Sequence, residues 1–434
     1  MADWLAMPGG ALHGRLQAPG DKSVSHRAIM LAAIADGRSR IEGFLEAGDT
    51  QATARIFEQL GVRIEAPEAG VRIVHGVGIE GLSGPAGVLD CGNSGTAMRL
   101  LAGLLAPMPF GCTLLGDASL ARRPMRRVTD PLAAMGARIG TADDGCPPLR
   151  IEPVARLSGV DHVLPVASAQ VKSALLLAGL QARGETSVLE PRPTRDYTER
   201  MLRAFGVALE YSPGHAGIRG GQRLQATDIR VPGDFSSAAF AIVAATVVPG
   251  SEVLVEGVGI DPRRTGLLRV LAEMGADIAL LDVREGIVGP VADLRVRHAP
   301  LQAIDVPVDA VADMIDEFPV LFAAAACANG TTRVRGAAEL RVKESDRIRA
   351  MADGLRALGI EVDETPDGAD ISGGQPRGGE VESRHDHRIA MAFAVLAQRA
   401  DAPVRVKGVE NVATSYPGFA AAMSELGAGL TMPD

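Results

Sequence analysis

The stretch "PGDKSVSHRAIMLAAIADG", residues 19–37, sets a polar and basic opening directly before an apolar run. Lys22, Ser23, Ser25, His26 and Arg27 come first, and residues 28–35 are almost wholly apolar. A helix N-terminus carries partial positive charge, so acids are favoured there and bases are not. The same construction returns along the chain. Its other openings are "CGNSGTAMR" around Ser94, "ASAQVKS" around Ser168, "GDFSSA" around Ser236, "MIDEFP" around Asp316 and "RHDHR" around Asp386. Successive openings lie 68 to 80 residues apart. After each apolar segment comes a turn and a short strand pattern such as "CTLLG" or "VRVKGV".

A second marker runs in register with the first. An apolar residue, a glycine and a strand start recur as "LGVRI", "MGARI", "FGVAL", "MGADI", "LGIEV" and "LGAGL", with glycines at Gly61, Gly136, Gly206, Gly275, Gly359 and Gly427. Each glycine follows an amphipathic stretch such as "TQATARIFEQL", the pattern of a helix closed by a glycine C-cap. The repeating unit therefore reads buried helix, strand, amphipathic helix, strand. A helix apolar on every side must be buried on every side. Six such helices can share one ring or form two groups of three, and the spacing alone permits either. "RVPGDFSSAA", residues 230–239, lies halfway along and is the candidate crossing between halves.

Composition narrows the function. Lys and Arg number 44 against 53 Asp and Glu, a net charge of −9, so a general nucleic-acid binder is excluded for want of basic excess. The longest apolar runs, residues 238–248 and 318–328, are about a dozen residues, too short for a bilayer and right for a buried helix. Cys91, Cys112, Cys146 and Cys327 form no C-x-x-C pair, and the N-terminus has no basic segment followed by a long apolar one. A cytoplasmic protein without disulfides or structural zinc is the expectation.

Similar units point the same end of each buried helix the same way, so the unsatisfied N–H groups of the openings gather on one face of each group. Aligned helix ends make an anion site. Ser23, Ser94, Ser168 and Ser236 suit N-caps. Capping does not explain Lys22, Arg27, Arg99, Lys172 and Arg388 at the starts of these helices. A bound polyanion, attracted by helix ends and cations alike, would reconcile them. More bases lie on nearby loops, in "ARRPMRR" (residues 121–127), "RPTRDY" around Arg195 and "RVKESDR" with Lys343 and Arg347. "GDKS" lacks the spacing of a phosphate-binding P-loop. His385 and His387 flank Asp386 with no matching cluster elsewhere, so no metal is expected. No G-x-S-x-G elbow occurs, and no dinucleotide fingerprint with its acidic partner.

Taken in order, ten stretches resemble the 5-enolpyruvylshikimate-3-phosphate synthase family. They are "PGDKSVSHRA", "CGNSGTAMRLL", "RRPMRR", "SAQVKSALLLAG", "RPTRDYTERML", "VPGDFSSAAF", "IDEFPVLFAAAA", "ELRVKESDRI", "HDHRIAM" and "ATSYPGF", and together they span nearly the whole chain. The resemblance implies an α/β fold of two similar domains, each three repeats of a βαβαββ unit with buried central helices, an inside-out α/β barrel. It places one domain at residues 20–231 and the other at 1–19 plus 232–434, with crossings near 19–21 and 231–234. Such domains close over their substrates in a hinge motion.

The implied reaction moves the enolpyruvyl group of phosphoenolpyruvate onto the 5-hydroxyl of shikimate 3-phosphate and releases phosphate. No metal or organic cofactor is implied, nor any nucleic-acid or membrane partner, and a monomer is expected. Carried over by position, Lys22, Ser23, Arg27, Ser168, Gln170, Arg195, Asp316 and Lys343 would bind shikimate 3-phosphate. Lys22, Gly95, Arg123, Gln170, Arg347 and Arg388 would enclose phosphoenolpyruvate. Asp316 would accept the hydroxyl proton, and Glu344 and Lys22 would handle the proton at the methylene carbon. The chain departs from the common pattern in three places: "ATSYP", with Thr414 and Ser415 where many members carry a Lys, Leu100 where many have Pro, and Ala169 where a Ser is common. The enolpyruvyl transferases acting on UDP-N-acetylglucosamine share the fold but use a loop Cys, and the corresponding "GDASLARRP", residues 116–124, has none. A non-catalytic anion-binding repeat protein is the reading from another class; Asp316, Glu344 and Lys22 together argue against it.

Overall fold

Residues 2–431 are described here from a computed structural model. Twelve α-helices alternate between two kinds. The helices are α1 (Lys22–Ala33), α2 (Gly48–Gln59), α3 (Gly95–Leu105), α4 (Arg126–Ala134), α5 (Ala169–Gly179) and α6 (Tyr197–Ala204), followed by α7 (Phe235–Val247), α8 (Gly266–Glu273), α9 (Phe318–Ala325), α10 (Arg347–Ala357), α11 (His387–Ala397) and α12 (Phe419–Glu425). The odd-numbered helices are the apolar ones. Every residue of α7, α9 and α11 is buried, and nearly every residue of α1, α3 and α5. The even-numbered helices bury one face; α4 buries Val128, Thr129 and Leu132 and exposes most of the rest.

The chain divides into two compact units, Gly20–Val231 and Met1–Pro19 with Pro232–Asp434. They are called here the amino-terminal and carboxy-terminal units. In the amino-terminal unit α3 packs on both α1 and α5; in the carboxy-terminal unit α7, α9 and α11 pack on one another. The six buried helices are thus in two groups of three. Close approach has a sequence cause: a methyl group on Gly103 of α3 would lie 2.0 Å from the Ala174 carbonyl oxygen of α5. Each fully buried Val, Leu, Ile or Phe in such a helix contributes roughly 1.5–3 kcal/mol relative to exposure.

Among the described residues, five of the six sheets share one strand arrangement, and the sixth lacks its first strand. In the sheet of Leu89–Asp90, Cys112–Leu115, Arg138–Gly140 and Leu149–Glu152, the first strand pairs parallel with the second, which pairs antiparallel with the fourth, which pairs antiparallel with the third. Asp161–Val163, Glu185–Leu189, Leu209–Ser212 and His215–Arg219 repeat that order. In the sheet of Thr331–Val334, Val362–Thr365 and Gly368–Ser372, isolated parallel bridges from Gln302 and Asp305 take the place of the first strand. The strand Ala35–Glu42 receives its parallel neighbour from the far end of its unit, residues 224–230, while His13–Gln17 pairs with Glu252–Gly259. Chain continuity and sheet membership therefore part company at residues 19–20 and 231–232.

The six marker glycines all lie in the left-handed region, with φ from 79° to 102°. Each closes an even-numbered helix the same way. Gly61 N–H donates to the Glu58 carbonyl and Val62 N–H to that of Phe57, and the other five helices repeat this pair of bonds down to Gly427 and Ala428. This is the Schellman closure, and the positive φ is why glycine recurs. Among the described residues no helix is long and apolar enough to cross a membrane.

Candidate active site

In the amino-terminal unit the three buried helices bring their openings together by side-chain hydrogen bonds. His26 of α1 meets Thr53 Oγ1 of α2 at 2.7 Å through Nδ1 and Ser94 Oγ, the cap of α3, at 3.1 Å through Nε2. Arg27 Nε donates to Thr198 Oγ1 at 2.7 Å and its Nη2 to Ser173 Oγ of α5 at 2.9 Å. Arg99 Nη1 donates to Gln170 Oε1 at 2.8 Å, and Gln170 Nε2 to Thr96 Oγ1 at 2.9 Å, tying α5 to α3. Arg123, on the loop before α4, donates to Asn93 Oδ1 at 3.2 Å, just ahead of Gly95. A methyl group on Gly95 would lie 2.8 Å from Arg99 Nη1 and 3.2 Å from Arg123 Nη1. The glycine therefore keeps two guanidiniums against the start of α3.

Lys22 is the first residue of α1, with Nζ 3.2 Å from Asp49 Oδ2. Ser23 follows inside the helix, and its carbonyl accepts from Arg27 Nη1 at 3.0 Å. Arg195 stands on the loop before α6. Burial first, then the charge of Arg195, pushes the Arg27 guanidinium down to about 10. Burial and the neighbouring Lys22 and Arg27 hold His26 well below its ordinary range, so it is neutral.

Two capping expectations are corrected. Ser94 and Ser168 do cap α3 and α5. The cap of α1, however, is Asp21, which accepts from Val24 N–H at 2.9 Å, and that of α7 is Asp234, which accepts from Ser236 N–H at 3.1 Å. A cap side chain must precede the first helical turn to reach its free N–H groups, and Ser23 and Ser236 already lie within that turn. Lys172 is a further correction. It does not await a polyanion: its Nζ lies 2.9 Å from Glu190 Oε2 and 2.9 Å from Glu199 Oε1, all three groups buried. Burial opposes its charge, but the two glutamates more than offset this and hold the ammonium above its ordinary range.

The carboxy-terminal unit gathers its three openings around Asp316, just ahead of α9. Lys343 Nζ lies 3.6 Å and Arg347 Nη1 3.4 Å from Asp316 Oδ1. Arg388 of α11 donates from Nη1 to the Asp316 carbonyl at 3.0 Å. Arg347 is buried, with Nε 2.8 Å from Asp386 Oδ2, the cap carboxylate of α11, and Nη2 2.7 Å from Glu344 Oε2. Burial works against the Asp316 charge, but Lys343, Arg388, Arg264 and Arg347 outweigh it and hold the carboxyl well below the usual range. Thr414 donates its hydroxyl to the Asn411 carbonyl at 2.6 Å and so closes its own turn.

Two members of this cluster were not singled out from the sequence. Arg264 reaches Asp234, Ser236, Asp316 and Glu317 from the turn before α8, and Glu317 accepts from the Ser236 hydroxyl. "DPRRTG" reads as an ordinary Asp-Pro turn, and Glu317 as a helix-start acid, so neither broke a local rule. An ionised carboxylate ringed by cations, and guanidiniums held at helix starts, can together orient anions and take a proton from a hydroxyl.

Comparison with known proteins agrees with this chemistry. The EPSP synthase family (3-phosphoshikimate 1-carboxyvinyltransferase) matches residues 7–423. A 3-phosphoshikimate 1-carboxyvinyltransferase from Xanthomonas axonopodis pv. citri (strain 306) is 65% identical over 427 residues, 98% of this chain and 97% of that protein. Its counterpart from Xanthomonas campestris pv. campestris (strain B100) is 64% identical over 428 residues, 99% of this chain and 98% of that protein. The solved structure of EPSP synthase from Acinetobacter baumannii superposes with a TM-score of 0.90 at 48% identity, covering 100% of both chains. With the mixed α/β architecture and the helix-start cations in place over that whole length, the chain belongs to the EPSP synthase family.

Proposed function

We propose the following division of labour for the reaction this chain catalyses. The chain transfers the enolpyruvyl group of phosphoenolpyruvate to the 5-hydroxyl of shikimate 3-phosphate, releasing phosphate, on the route to the aromatic amino acids. Lys22, Ser23, Arg27, Ser168, Gln170, Arg195, Asp316 and Lys343 bind shikimate 3-phosphate. Lys22, Gly95, Arg123, Gln170, Arg347 and Arg388 hold phosphoenolpyruvate. Asp316 takes the proton of the 5-hydroxyl as its oxygen bonds to C2 of phosphoenolpyruvate. Glu344 or Lys22 delivers a proton to C3, giving a tetrahedral carbon; the same group removes one from C3 as the C–O bond to phosphate breaks. Fixed cations stabilise the charge that develops on the way.

The observation that carries this reading is the setting of Asp316. Four cations keep it ionised, so it is an acceptor at neutral pH. The same cations make it a weak base while the site lacks its substrates. Two substrates bearing phosphate and carboxylate groups offset those cations and raise its basicity where the proton must move. A phosphate-release assay with both substrates, run on Asp316→Asn, tests the assignment; near-normal turnover would place the base elsewhere.

The architecture is read in the same spirit. Each unit is three copies of a βαβαββ element around three buried helices, an inside-out α/β barrel, with domains at 20–231 and at 1–19 plus 232–434. The strand order shared by five of the six sheets supports that description. The enzyme works as a cytoplasmic monomer.

A further inference from the structure

We propose that Arg264 is a positioning residue for the reaction: its guanidinium bridges the adjacent carboxylates of Asp316 and Glu317 to the opening of α7 and so aims the Asp316 carboxylate at the substrate hydroxyl. This rests on the reading above that Asp316 takes that proton.

Arg264 is 6% exposed. A short turn presents it: Arg264 N–H donates to the Asp261 carbonyl at 2.8 Å, and Arg263 N–H to Asp261 Oδ1 at 2.7 Å. From there Nη1 reaches Asp316 Oδ2 at 3.4 Å and Glu317 Oε1 at 3.5 Å. Nη2 donates to Asp234 Oδ1 at 3.2 Å and to the Ser236 hydroxyl. One planar fork therefore joins the helix-start carboxylates of α9 to the cap of α7, a geometry that a single ammonium cannot copy. Lys343 and Arg347 contact the other oxygen of Asp316, Oδ1. Arg264 thus lies against Oδ2, while Lys343 and Arg347 lie against Oδ1.

The neighbouring acid makes this grip consequential. Glu317 is buried, its Oε1 takes the Ser236 hydroxyl, and its Oε2 finds no hydrogen-bond partner within the protein. Two adjacent carboxylates do not both ionise readily in such a place. Burial first, and the nearby Asp316 charge, raise Glu317 above its ordinary range although Arg264 and Arg388 oppose this. Around Asp316 the charged groups are Lys343, Arg347 with its partners Glu344 and Asp386, Arg388, Arg264 and Glu317. Among them Arg264 touches both acids at their carboxylate oxygens.

The test is the pH profile of kcat at saturating phosphoenolpyruvate and shikimate 3-phosphate. Removing a cation beside Asp316 raises its pKa, so in Arg264→Gln the acid limb moves to higher pH by about one unit. Glu317→Gln, which removes the acid beside Asp316, does not move the limb to higher pH. Arg264→Lys keeps the charge but loses the fork; its limb stays near that of the wild type while kcat falls about tenfold and both KM values hold within about twofold. An unmoved limb in Arg264→Gln overturns the proposal. So does an Arg264→Lys enzyme with unchanged kcat, or one whose loss lies in KM, and that variant decides the matter if Arg264→Gln does not fold. Asp316→Asn separates the two readings. If it retains turnover, the base assignment itself has failed; if it abolishes turnover and the Arg264→Gln limb does not move, this inference alone has failed.

Discussion

The two units gather helix openings in the same way but fasten their bases differently. In the amino-terminal unit the guanidiniums donate to neutral groups, Arg27 to the hydroxyls of Thr198 and Ser173, Arg99 to the Gln170 amide and Arg123 to the Asn93 amide, while Lys22 lies against the Asp49 carboxylate. In the carboxy-terminal unit Arg264, Arg347 and Lys343 lie against the carboxylates of Asp234, Asp316, Glu317, Glu344 and Asp386. A neutral acceptor fixes the direction of a guanidinium without itself neutralising the charge. Carboxylates consume that charge locally and in return keep an acid ionised. The first arrangement suits binding, and the second suits a base that must be deprotonated before its substrate arrives.

Breaking the carboxylate side of this contrast has the largest expected effect. Asp316→Asn removes the acceptor of the hydroxyl proton and lowers kcat by about a hundred to ten-thousandfold, while shikimate 3-phosphate still binds in titration calorimetry. Lys172 sharpens the contrast from within the amino-terminal unit, because there a buried cation does lie between carboxylates. Lys172→Met leaves Glu190 and Glu199 buried without their cation and costs about 3–5 kcal/mol in denaturant unfolding. Turnover per folded molecule is affected less than stability, since this trio lies in the packing.

Smaller effects follow on the binding side. Gly95→Ala pushes a methyl group toward Arg99 and Arg123 and raises KM for phosphoenolpyruvate about tenfold, with less change in KM for shikimate 3-phosphate. Inhibition by glyphosate, an anion of similar size, weakens with it. Equal change in both KM values would show that the methyl disturbs the unit generally. The smallest effect is on pH stability. His26 is neutral in the fold, with its pKa below the ordinary 6.5. The unfolded chain therefore binds the extra proton first as pH falls, so stability is full above about 6.5 and declines below it, by at most about 1.4 kcal/mol per pH unit. His26→Asn flattens the Tm against pH profile in that window; an unchanged slope would remove His26 from the cause.

Much of this was legible in the residues because it obeys local rules. Six glycines spaced with six amphipathic helices announced six left-handed closures, since only glycine adopts that φ without strain. Basic residues at Lys22, Arg27 and Arg388 stood out by violating the helix dipole. Lys172 broke the same rule for another reason: its partners Glu190 and Glu199 are 18 and 27 residues away along the chain, beyond any local pattern. Asp21 and Asp234 took the caps that Ser23 and Ser236 were expected to hold, because backbone geometry chose where each helix began.

The sequence by itself thus determined the helices, their closures, the alternation of buried and amphipathic segments and the chemistry gathered at each opening, all of which depend on neighbours within a few residues. Tertiary structure decided what the repeat spacing left open, that the six buried helices group in threes as the resemblance implies, and it alone showed that residues 224–230 complete a sheet begun at Ala35 and that Arg264 lies against Asp316. The reason is physical: packing and charge pairing join residues 50 to 190 positions apart, and no periodicity or cap encodes which distant partner fills a given place.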